Sequence, residues 1–351
     1  MSIKQGRLLA AVLALAMIAA GCANEPEKKA PAVDANVQTT DKQTVIPYEA
    51  DEQTFQTVGG WLDDKTVVLA EYDKKETTLS TYDFSEGSKK ELYRADMAVT
   101  HVEVNGTYIL MQGSSSANTT NLLLIDSKGT KRFEKEFSSH DLSFSWSEAN
   151  PDRLFVTAFN EDWTYETAIY YPLTGFEDAD PIDAPFAEWS GNGNLFFAKD
   201  GGGKGSPLYQ YDVQKQEEKK MADEVLSVFS RNHTWITLSY ENDSPVFIVQ
   251  DGIKKQRFPS SLKESEGSLD LPKIEISPSE HEFITYEYNE ESDRLNLVSF
   301  SLLDQKKTVH IKDALNMPLM YSPDGTRVLY GFQLEKVINL LTGSLKTLVT
   351  F

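Results

Sequence analysis

MYSPDGTRVLYGF, residues 320–332, reads as a strand, a tight turn and a second strand. Its Pro-Asp-Gly is turn chemistry: proline presets φ, aspartate bonds back to its own backbone, and glycine accepts a left-handed conformation. The phrase recurs as GGWLDDKTVVLA (59–70), VEVNGTYILM (102–111), FSWSEANPDRLFVTA (144–158), AEWSGNGNLFFA (187–198), SVFSRNHTWITL (227–238) and IEISPSEHEFITY (274–286). The first apolar residues after the turns, Val67, Tyr108, Leu154, Leu195, Trp235, Phe283 and Val328, are separated by 41, 46, 41, 40, 48 and 45 residues. That is the period of a four-stranded propeller blade.

Each unit then carries a second hairpin, from TLSTYDFSEGSKKELY (78–93) in the first to KVINLLTGSLKTLV (336–349) in the last. An apolar or aromatic strand precedes a polar turn and a charged strand. Inner strands lie between neighbouring blades and take Val, Leu, Ile, Tyr or Phe, whereas the outermost strand meets water and takes Lys and Glu. Such a unit cannot bury its faces alone, so the units stack in a ring. The reading is all-β, a β-propeller over residues 55–351 with seven four-stranded blades by repeat count. Six is the alternative if the first unit, which lacks an SP phrase, is a strand or two.

Ahead of the ring, Lys4 and Arg7 precede the apolar run Leu8–Ala20 and the small residues Ala19, Ala20 and Gly21. Residues 1–21 therefore read as a signal peptide. Cys22 follows directly and is the single cysteine, so no internal disulfide exists. IAAGC resembles the bacterial lipobox, with Ala19 where leucine is usual; the resemblance implies diacylglyceryl and palmitate-type acylation at Cys22. Residues 22–54 are rich in Ala, Glu, Lys, Pro, Gln, Thr and Asp. They read as a disordered, lipid-anchored linker that cannot bury enough surface to offset chain entropy. Localisation is expected at the cell membrane, on the extracytoplasmic face, with contact to the membrane through the lipid only.

Taken together, the lipobox, the acidic linker and the SPDG-like blades over about 55–351 resemble the YqgU-like lipoproteins of Gram-positive bacteria. They are also similar to secreted propellers of the TolB type. The resemblance implies a propeller, six-bladed in that family, on a lipid tether, and it implies no activity.

Charge and motifs bound the chemistry. A net charge of −20 repels nucleic acid and anionic headgroups. KDGGGKGS (199–206) misses the Walker spacing, and no Gly-x-Ser-x-Gly elbow is present. The five histidines, at 101, 140, 233, 281 and 310, are dispersed. No catalytic set, metal site or cofactor is expected. What remains is a candidate binding rim of Asp162, Trp163, Tyr165 and Asp200, on connections between second and third strands that open on the face of the ring's central mouth. Large aromatics in an acidic loop supply contact area at low entropy cost.

Two functions follow. One is a non-catalytic binding or scaffold module of the cell envelope, taking a protein, peptide or glycan. The alternative is an extracytoplasmic hydrolase or lyase with a site at the central pore, which requires carboxylates or histidines to converge there with perturbed pKa values.

Overall fold

The computed structural model describes residues 44–116, 119–147, 150, 153–179, 182–191, 193–199, 205–265 and 268–351. Among them there is no helix. Cys22 and Asp200, like the expected signal peptide and most of the linker, lie outside these residues.

The described strands form seven four-stranded antiparallel units, each ordered from innermost to outermost as the chain runs. They occupy residues 55–95, 98–137, 141–178, 188–225, 225–259, 274–314 and 319–347. In the first blade the second strand, Thr66–Asp73, buries Val67, Val68, Leu69 and Ala70 completely, whereas the outermost, Ser88–Ala95, opens on exposed Ser88, Lys89, Lys90 and Glu91. That contrast follows from position, because an inner strand has a neighbouring blade on each face.

Every pair of adjacent blades shares one apolar cluster. Val68 and Leu79 of the first meet Ile109 and Leu123 of the second, and Leu329 and Val337 of the seventh meet Val67 and Tyr82 of the first. The fourth and fifth blades are joined differently. A single strand, Glu217–Arg231, is outermost in one and innermost in the other, with Val225 pairing to Ser206 on one side and Ser239 on the other. Their shared cluster buries just Phe196, Leu208 and Val225, and a cleft of about 590 Å³ opens beside Phe196 and Trp235.

The ring closes in two ways. Across the seam between last and first blades, the Trp61 indole donates to the Met320 carbonyl at 3.1 Å, and the Gln333 side-chain amide donates to the Gln56 carbonyl at 2.9 Å. Outside it, residues 44–50 form a clasp. The backbone N–H groups of Ile46, Tyr48 and Ala50 donate to the carbonyls of Phe84, Leu348 and Thr350, each at 2.8 Å. Tyr48–Glu49 thereby pairs in parallel with Val349–Thr350. Pro47 fits because alternate N–H groups point to opposite sides, and the one it lacks falls between the donors.

The boundary expected at residue 54 is thus corrected. The clasp residues belong to the domain, because Val45, Tyr48 and Ala50 pack on the core shared by the first and last blades.

Candidate functional site

The innermost strands enclose a central channel. A cavity of about 640 Å³ is lined by one or more residues of every blade, among them Trp61, Glu103, Trp146, Glu188, Arg231, Glu275 and Tyr321. Aligned on their turns, the innermost strands place Gly60, Glu103, Ser145, Glu188, Glu275 and Met320 at one register position. Strand alternation turns that position toward the channel. Gly60 has a φ of +135°, a conformation that residues with a Cβ rarely adopt, so a side chain at this point of the channel wall would be strained.

Glu188 is the perturbed group. Its carboxyl is open to the channel, yet the surrounding ring shields it from bulk water, and this desolvation pushes it up to about 7. The charge of Glu103 adds to the rise, while the Ser145 hydroxyl, donating at 3.0 Å, works against it. Ser145 also accepts from the Trp189 N–H at 2.9 Å, which holds the hydroxyl in place. Arg231 donates to the Ile276 carbonyl at 3.2 Å. Among the described residues no three His, Cys, Asp or Glu side chains are grouped to hold a metal ion.

A pH dependence follows. Unfolded Glu188 ionises near 4.5 and the folded group near 7, so between these values the unfolded chain holds fewer protons and the domain loses stability as pH rises. Glu188→Gln removes this loss. The variant is expected to melt above the parent at pH 8 and level with it at pH 4, in scanning calorimetry at both pH values. A pH-independent difference would mean that the glutamate does not titrate in this range.

The aromatic loop stands elsewhere. Residues 160–164 connect the second and third strands of the third blade. Trp163 N–H donates to the Asn160 carbonyl at 3.0 Å and Asn160 N–H to the Thr164 carbonyl at 2.8 Å, so the loop is a tight turn with Trp163 at φ +65°. That position is ordinarily glycine's, and a tryptophan there is strained by about 1–2 kcal/mol. Asp162 accepts from the Thr164 N–H and hydroxyl at 3.1 and 2.6 Å, bonds that hold its carboxyl below the usual range.

Trp163 is 74% exposed and Phe186, from the connection to the fourth blade, is 65% exposed. Both lean on buried Phe159, with ring centroids at 6.1 and 5.5 Å. Tyr165 also meets Phe159, at 6.1 Å, and its hydroxyl donates to Asp183 at 2.7 Å.

One expectation is corrected by this arrangement. The cavity is lined by the ends of the innermost strands that adjoin the first-to-second turns, such as Asn105–Gly106 and Asn232. Trp163 lies at the opposite end, where Asp141 pairs with Phe159. The aromatic loop therefore does not ring the cavity mouth. Alternation of strand direction explains the difference: first-to-second and second-to-third turns fall on opposite faces. The three channel glutamates were missed, although VEV, AEW and IEI, each an acid between two apolar residues of an innermost strand, carried the signal.

Seven stacked antiparallel units around an axial channel define a β-propeller. Within that class, residues 83–331 match the family described as "YqgU-like 6-bladed beta propeller domain", and the chain belongs to it. The matched span holds five complete units, the outermost strand of the first and the two inner strands of the last. Over 357 residues the chain is 25% identical to "Uncharacterized lipoprotein YqgU" of Bacillus subtilis (strain 168), covering 97% of this chain and 96% of that one. Its fold resembles that of the uncharacterized protein lmo1340 from Listeria monocytogenes EGD-e, with a TM-score of 0.78, 17% identity and coverage of 87% and 98%. The tricorn protease shares the fold at a TM-score of 0.54 and 12% identity, over 86% of this chain and 34% of that one.

Proposed function

We propose that the protein is a lipid-anchored extracytoplasmic propeller that acts as a binding or scaffold module of the cell envelope, through the aromatic rim of its third blade. The exposed pair Trp163 and Phe186 carries this reading. The domain holds a strained tryptophan largely in water where glycine would be more stable, its one ring contact among the described residues being the edge of Phe159, and that exposed, fixed ring suits contact with a partner. The relation to a protein named as a lipoprotein supports the anchor. The partner is a protein, peptide or glycan of the envelope, and neither nucleic acid nor a cofactor is required.

A photo-cross-linking residue at position 163 tests the site in intact cells. A specific adduct is expected there and not from position 173, an exposed turn at the other face of the same blade. Equal labelling from both positions would remove the assignment.

The hydrolase or lyase reading has one observation in its favour, Glu188, whose carboxyl near 7 suits a proton donor at neutral pH. Against it stands its company: the described lining holds no serine–histidine pair to act as nucleophile and base.

A further inference from the structure

We propose that the aromatic rim of the third blade takes a cationic segment of polypeptide, rich in arginine or lysine, that stacks on Trp163 and Phe186 between flanking carboxylates. This rests on the rim being a binding surface and names the chemistry of what binds.

The first support is the local charge. From Leu154 to Ala198 the chain contains no lysine, arginine or histidine and eight carboxylates. Glu161 and Asp162 directly precede Trp163, and Asp183 is tied to Tyr165 beside Phe159. The field of these three carboxylates falls on the exposed rings, and the basic residue tied to the same edge is His140, whose backbone N–H donates to the Phe159 carbonyl at 2.8 Å.

A second support is the contrast with three less exposed rings that carry a cation of their own. Lys89 lies 4.6 Å from the Tyr48 ring centre, Lys199 4.7 Å from that of Tyr209, and Arg153 5.2 Å from that of Tyr171. Trp163 and Phe186, more exposed than any of these, carry no such cation among the described residues. An aromatic face attracts a cation through its quadrupole, most strongly for tryptophan. The rim thus offers both halves of a cation site, ring faces and counter-charges, and among the described residues no cation lies over either ring. An anionic partner would meet repulsion, and a neutral saccharide would stack on the rings and donate hydroxyls to the carboxylates without offsetting their charge.

The test uses the mature chain with hexa-arginine, hexa-glutamate and a neutral chitotetraose as probes, by calorimetric titration and amide hydrogen exchange. Hexa-arginine is expected to bind and to protect residues 160–166 and 183–188. Trp163→Gly, which relieves the left-handed strain and so keeps the fold, is expected to weaken binding about fivefold or more. Phe186→Ser is expected to weaken it likewise, and Asp162→Asn to flatten its salt dependence. Hexa-arginine binding unchanged by Trp163→Gly, with protection spread over the acidic surface, would overturn the proposal. So would chitotetraose binding that depends on Trp163 while hexa-arginine does not bind. Cross-links from position 163 with no cation binding would leave the rim a binding surface and sink this assignment alone; loss of both would sink the wider reading.

Discussion

A mature chain lacking residues 23–50 is expected to melt about 5–10 °C below one lacking residues 23–42, and the shorter deletion to leave the melting temperature where it was. The clasp accounts for the difference. Its three backbone bonds, with the Tyr82 hydroxyl donating to the Ile46 carbonyl at 2.8 Å, make four hydrogen bonds. At about 1 kcal/mol net each they sum to about 4 kcal/mol, and in a domain of this size each kcal/mol moves the midpoint by about 2 °C. Tyr48 adds a polar tie, donating to Glu71 at 2.6 Å and accepting from Lys89 at 2.7 Å. Tyr48→Phe should therefore fall between parent and long deletion. Equal melting of the two deletions, followed by circular dichroism, would mean that seam packing alone closes the ring.

Cys22→Ala is expected to move the protein almost wholly from the membrane fraction to the soluble one without changing its melting temperature. One acyl chain gives marginal, reversible membrane binding and two give lasting attachment, so removal of the acceptor thiol abolishes rather than weakens it. The first backbone bond of the clasp is made by Ile46, well clear of the change. Fractionation and immunoblotting read the result, and a variant that stays with the membrane would remove the lipoprotein assignment.

The blades were legible because burial on both faces forces runs such as Val67–Ala70, and because hairpin turns demand Gly, Asn or Asp at a steady period. The clasp was only half legible. QTVIPYE (43–49) has β propensity and its proline suits an edge, but its partners, Phe84 and residues 348–350, are distant in sequence. The join between fourth and fifth blades was hidden altogether: nothing in MADEV (221–225) signals that one strand serves both blades, continuing through a bulge with Glu224 at φ +50°. Trp163 and Tyr165 stood out as aromatics among acids, but Phe186, about 20 residues on, joins them through a contact that no local pattern signals. Glu188 was invisible as a perturbed acid because the ring that desolvates it is assembled from seven segments.

The clasp also determines where mechanical load enters the molecule. Were the chain tethered ahead of residue 44 and loaded elsewhere on the ring, tension would run along residues 44–50. The bonds at Ile46, Tyr48 and Ala50 stand side by side across that line, so a pull along the strand loads them together in shear instead of opening them one by one. The same three bonds grip Phe84 on one side of the seam and the C-terminal residues Leu348 and Thr350 on the other. Traction on the tether is thus shared by both lips of the seam and draws the first blade and the chain end toward one strand.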